Sequence, residues 1–115
     1  MVGRWRQHRT DEGRAMFARV ATYSGDAEEL VRGFERARGE LERMEGFSNA
    51  YFCVDRGSGK GLSMTLWETD AALEASAERA HQLRSQATQP SGATTDSVTH
   101  YEVALTAQGA RSATA

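Results

Sequence analysis

Gly59-Lys60-Gly61-Leu62-Ser63-Met64-Thr65-Leu66-Trp67-Glu68-Thr69-Asp70 compresses a turn, an alternating strand and a helix start into one short stretch. Side chains alternate along a strand, so Leu62, Met64 and Leu66 share one face and Ser63, Thr65 and Trp67 the other. Both faces carry groups that gain by burial, and the strand is therefore expected at the centre of a sheet. Thr69 or Asp70 offers a side-chain oxygen to the free amides of a following helix.

Working back from this strand, Asp55-Arg56-Gly57-Ser58-Gly59-Lys60-Gly61 holds three glycines able to turn the chain, and Phe47 to Val54 alternates as its hairpin partner. On that strand Phe47, Asn49, Tyr51 and Cys53 are expected on one side, with Ala50, Phe52 and Val54 on the other. The glycines lack the spacing of a phosphate-binding loop, and a strand follows them instead of a helix. Upstream, Asp26 to about Glu45 repeats apolar residues at Leu30, Phe34, Ala37, Leu41 and Met44, one stripe of an amphipathic helix. Asp26 and Glu29 have the spacing of a reciprocal cap, Glu28/Arg32 that of an i,i+4 pair. Gly33 and Gly39 each weaken this helix by about 1 kcal/mol relative to alanine. Residues 15–23, rich in aromatic and β-branched types, form the first strand.

Downstream, Asp70 to about Thr88 is expected as one helix with a small-residue inner stripe of Leu73, Ala77, Ala80, Leu83 or Arg84, and Ala87. Ser97 to Leu105 reads as the last strand. The order βαββαβ with a tight central hairpin is the split βαβ arrangement: α+β, ferredoxin-like, a four-stranded antiparallel sheet with two helices on one face and strands one and three central. The other face is left apolar and uncovered, so a homodimer through the open sheet face is expected.

The chain supports one domain, residues 15–105, between tails at 1–14 and 106–115 that are expected to be flexible. Hydrophobic residues make up 39% and the formal charge is -2. Arg4, Arg6, Arg9 and Arg14 against Asp11 and Glu12 make the leader positive, whereas residues 15–106 carry an excess of acids. Such a surface argues against nucleic acid, which needs a positive face. No apolar run suits a membrane span, and the lone Cys53 points to a reducing, cytoplasmic setting.

Met16-Phe17-Ala18-Arg19-Val20, Tyr-Ser-Gly-Asp at 23–26, Glu45-Gly46-Phe47, Asp55-Arg56 with Gly-Lys-Gly at 59–61, and Thr65-Leu66-Trp67-Glu68 followed by Ala72-Leu73 together resemble the antibiotic-biosynthesis-monooxygenase-type domains of the dimeric α+β barrel superfamily. The resemblance covers about residues 15–105. It implies a dimer whose sheets close into a barrel, with a small-molecule cavity between each sheet and its helices. Some members of that family oxidise polycyclic phenols with O2 and no cofactor, some degrade haem, and many have no known activity. The phenol oxidisers share Trp67, but carry Asn where this chain has Ser63, and their helical Tyr and Arg fall near Leu73 and Ala87. The haem degraders' Asn, Trp and His positions hold Arg19, Ser76 and Gln86, with His81 about one turn away.

The candidate pocket residues are Trp67, Ser63, Arg19, Asn49, Tyr51 and His81. Trp67 reads either as a wall for an aromatic ligand or as a core tryptophan. Arg19 is expected to pair with Glu102 or Glu68, or to face a ligand. Asn49 and Tyr51 suit a pocket or a dimer seam equally. His81 and His100 belong to no recognisable constellation, and no residue spacing suggests a metal. The functional expectation is a dimeric small-molecule-binding domain that oxidises an aromatic or polyketide-like substrate with O2 and no cofactor. A non-catalytic dimerisation or ligand-sensing module is the alternative, with haem degradation third.

Overall fold

The computed structural model describes residues 16–110. The expected leader, residues 1–14, and residues 111–115 of the expected C-terminal tail lie outside the described residues. Residues 106–110 are exposed and carry no regular structure. Strand β1 is Met16–Ser24, helix α1 Ala27–Glu42, strand β2 Phe47–Asp55, strand β3 Lys60–Trp67, helix α2 Asp70–Ala75, helix α3 Ala77–Thr88 and strand β4 Thr94–Val103. A 3-10 turn at Gln89–Ser91 leads into β4. The four strands form one antiparallel sheet in the order β2-β3-β1-β4, with β1 and β3 central as expected.

Register assigns the faces. Arg19 stands opposite Thr65 and His100, and Ala21 opposite Ser63, so odd-numbered residues of β1 and β3 point together beneath the helices. Phe17, Ala21, Tyr23 and Trp67 join the core on that side. Ala18, Val20, Leu62, Met64 and Leu66 occupy the opposite, open face. The β2 expectation needs one correction. A register shift between Phe47 and Asn49 turns Phe47 to the helix side, against Trp67, while Asn49 and Tyr51 stay on the open face. A bulge adds one residue without a partner and so reverses the parity that strict alternation assumes.

The hairpin closes by Gly59 N–H donating to the Asp55 carbonyl at 2.9 Å, with Gly59 at φ +76°. A Cβ there would stand 2.1 Å from the Gly25 carbonyl oxygen, so the turn admits no side chain. At the start of α1 the Asp26 side chain accepts from Glu29 N–H, but the expected reciprocal half is missing: Glu29 instead pairs with Arg32. Glu28, the expected Arg32 partner, meets Arg56 of the hairpin loop. Helix α1 also ends earlier than Glu45, at Glu42.

The expected single second helix is broken. Thr69, not Asp70, caps α2, accepting from Ala72 N–H at 3.0 Å. The helix stops at Ala75 and restarts at Ala77, because the Leu73 carbonyl is taken by side chains: Ser76 Oγ donates to it at 2.8 Å and Arg19 Nη2 at 2.7 Å. Side chains that occupy a carbonyl of the helical ladder kink or break the helix there. Strand β4 starts and stops earlier than expected, and Leu105 is exposed beyond its end.

Candidate functional site

Two apolar clusters fill the space between sheet and helices. One joins Ala21, Tyr23, Leu30 and Phe34; the other joins Leu41, Trp67 and Leu73. Phe34 ties the first together, edge-on to Tyr23 at 5.4 Å and stacked on Phe52 at 4.9 Å. Between the clusters lies a cavity with about 50 Å³ for the centres of water-sized molecules, inside about 470 Å³ of atom-free space that includes its mouth. Its floor is Arg19 and Tyr23 of β1, Ser63 and Thr65 of β3 and Phe52 of β2. Its roof is Phe34, Ala37 and Leu41 of α1 with Ala80, Leu83, Arg84 and Ala87 of α3.

Arg19 is 3% exposed and almost fully engaged. Its Nε donates to His100 Nε2 at 3.1 Å, and its Nη2 to the Leu73 carbonyl and to Ser76 Oγ at 3.1 Å. Its Nη1 has no partner and is buried. The Arg84 Nε is likewise buried and without a partner. Burial, and secondarily the Arg84 charge, lower the Arg19 pKa to about 10; burial lowers that of Arg84 too. Arg19 thus remains a cation at neutral pH.

Tyr23 Oη and Ser63 Oγ share a hydrogen bond at 2.9 Å. Burial raises the Tyr23 pKa above the usual phenol value, against the opposing effects of Ser63 and the two arginines, so the phenol keeps its proton. Beside them, Thr65 Oγ1 accepts from Trp67 Nε1 at 2.9 Å.

The six sequence candidates separate. Arg19 and Ser63 line the cavity. Trp67 is completely buried one layer away, its ring packed edge-to-face with Phe47 at 5.5 Å and covered by the Arg19 guanidinium, 5.7 Å above the ring centre. It shapes the cavity through Thr65 and is not among the residues lining it. Asn49 and Tyr51 bond each other on the open face, with Tyr51 54% exposed, and His81 is on the exposed side of α3. Arg19 is held by Leu73, Ser76 and His100, where Glu102 or Glu68 had been expected. His100 in turn places Nδ1 3.5 Å from the Glu74 carboxylate.

Tyr23 is absent from the candidates read from the sequence, and Arg84 enters there only as an alternative to Leu83 on the inner stripe, not as a site residue. Both were within reach of the pattern: Tyr23 shares the parity of Arg19, and Arg84 stands on the helical stripe of Ala80 and Ala87. Among the described residues no group of three or more His, Cys, Asp or Glu could hold a metal ion, and no helix is long and apolar enough to cross a membrane.

The family model described as antibiotic biosynthesis monooxygenase matches residues 14–88. Among solved structures, SnoaB, a cofactor-independent oxygenase from Streptomyces nogalater, superposes with a TM-score of 0.58 at 16% identity, covering 83% of this chain and 95% of its own. Protein SO0527 from Shewanella oneidensis gives 0.58 at 17% identity over 76% of this chain and 90% of its own. Rv0793 from Mycobacterium tuberculosis gives 0.55 at 12% identity over 84% and 99%. At these identities the likeness is one of fold. No curated protein sequence matches.

Proposed function

The chain belongs to the antibiotic biosynthesis monooxygenase family, and on that premise we propose that it binds a small, flat, acidic molecule in the cavity between sheet and helices and oxidises it with O2, without a cofactor. The observation that carries this reading is the convergence of two guanidinium groups, the buried one of Arg19 and the half-buried one of Arg84 with its Nε buried, on a largely apolar cavity. Like charges brought out of water repel, and an anion between them relieves both the repulsion and the desolvation. Their field favours the ionised form of an enol or phenol, and the Tyr23 hydroxyl, which keeps its proton, donates to the oxyanion. The electron-rich anion then supplies the electrons: an activated methylene and O2 become a carbonyl and water, balancing with no outside reductant.

Size restricts the substrate. The enclosed part of the cavity is small, so an occupant larger than a few waters must reach into the mouth. A single ring fits by extending into the mouth, whereas a three-ring phenol requires the roof to lift. We place the reaction in a reducing, cytoplasmic setting, where the free thiol of Cys53 is stable.

Members of the family are typically dimers. We infer the same here, through the open face on which Val20, Leu62, Met64 and Leu66 are only half-buried.

A second reading, ligand binding without turnover, is favoured by one feature: the lining residues include no carboxylate or imidazole to act as base. Oxygen uptake with single-ring enolisable ketones that carry an activated methylene separates the two. Uptake equal to product formed, reduced at least tenfold in Y23F, supports the oxygenase. Binding detected by calorimetry with no uptake from any compound supports the second reading.

A further inference from the structure

We propose that the cavity selects ligands bearing a carboxylate, held between the guanidinium groups of Arg19 and Arg84, each of which keeps one buried nitrogen without a partner; this rests on the reading of the cavity as the ligand site. The Arg19 guanidinium presents five N–H donors in a rigid fork. Three are committed, one to His100, one to the Leu73 carbonyl and one to Ser76 Oγ, which leaves the two protons of Nη1. The side chain is therefore already fixed, and a ligand meeting Nη1 orders nothing further on β1. Arg84 brings a second donor from the roof, on a helix that starts afresh at Ala77.

Two cationic side chains on separate elements line one cavity, and each has a donor left unbonded. A buried cationic donor left unbonded is costly, so the pair favours an occupant over an empty cavity. The remaining wall decides between anions. Phe34, Leu41, Phe52 and Leu83 are apolar, and a doubly charged phosphate against them would lose more hydration than two guanidinium contacts restore. A single carboxylate on a ring leaves the ring to those side chains. Tyr23 and Ser63, hydrogen-bonded to each other, line the same cavity and offer their hydroxyls to a polar substituent of that ring. The ligand class is a single-ring hydroxy- or oxo-carboxylic acid, and the members that the proposed reaction can oxidise are those with a methylene activated by a carbonyl.

The experiment is calorimetric titration of the purified protein with 4-hydroxybenzoate, its neutral amide and the parent phenol, in chloride-free buffer, repeated on R84Q. The expected result is binding of the acid at least tenfold tighter than of the amide, with R84Q erasing most of that preference. A shift of the Arg84 Nε–H resonance on adding the acid, and not on adding the amide, gives a second readout independent of the variant's folding. Equal binding of acid, amide and phenol would overturn the carboxylate preference and leave the cavity as a ligand site. Binding of none of them, with no resonance shift, would sink both readings. An R84Q protein that loses thermal stability but keeps the acid-over-amide preference would show Arg84 to be a structural cation and overturn the proposal.

Discussion

Arg19 Nη2 donates a 2.7 Å hydrogen bond to the Leu73 carbonyl, so a charge in the middle of the central strand β1 ends helix α2. The same group supports Ser76 Oγ and lies over the Trp67 ring. One side chain thereby sets the helix break, the position of the tryptophan and the floor of the cavity.

Replacing Arg19 separates its shape from its charge. R19M removes the cation together with its bonds and is expected to destabilise by about 1–3 kcal/mol. R19K retains a buried charge that a single ammonium cannot share among His100, Leu73 and Ser76, and is expected to be worse. Urea unfolding of both variants measures this. R19K as stable as the parent would contradict the role assigned to the fork.

The two glycines inside α1 are predicted to respond in opposite directions. At Gly33 a Cβ would stand 2.4 Å from the Ala87 carbonyl oxygen, because α3 crosses close there. G33A gains about 1 kcal/mol of helix propensity but pushes the roof helices apart, and a net loss of about 1–2 kcal/mol is expected. At Gly39 a Cβ meets only Arg43 Nη1 at 3.9 Å, an ordinary contact. G39A is expected to stabilise by about 0.5–1 kcal/mol, read as a rise in thermal midpoint.

Acid sensitivity is predicted to trace in part to Glu40. Hydrogen bonds from Arg79, across the gap between α1 and α3, hold its carboxyl below the usual 4.5. The folded pKa is the lower one, so the contribution is complete above 4.5 and is lost as pH falls through the folded value. E40Q should be less stable than the parent at neutral pH, with the difference closing as pH falls below 4.5 and through the folded value. A gap that stays constant over this range would rule the linkage out.

M64E tests the open face. Met64 sits between Val20 and Tyr51 in the sheet register, at the middle of the surface assigned to the partner. A carboxylate buried there without a partner costs several kcal/mol, so sedimentation should show the variant as a folded monomer and the parent as a dimer. A parent that is itself monomeric at micromolar concentration would remove the proposed interface.

The sequence by itself determined the order of elements, the hairpin, the central position of β1 and β3 and which residues of β3 share a face. These follow from periodicity and turn chemistry, which act over a few residues: alternation from Gly61 to Trp67, a four-and-three stripe from Leu30 to Leu41, glycines at 57, 59 and 61. Where a single local event breaks the period, as at the β2 bulge before Asn49 or at Ser76, the same reasoning misassigned Phe47 and joined two helices into one. Only the tertiary structure decided what Arg19 bonds, that Trp67 stands behind Thr65 instead of in the cavity, and that Tyr23 and Arg84 meet there. Those outcomes depend on which carbonyl a guanidinium reaches and how closely two helices cross. Both are set by packing between residues more than fifty positions apart, such as Arg19 and Leu73.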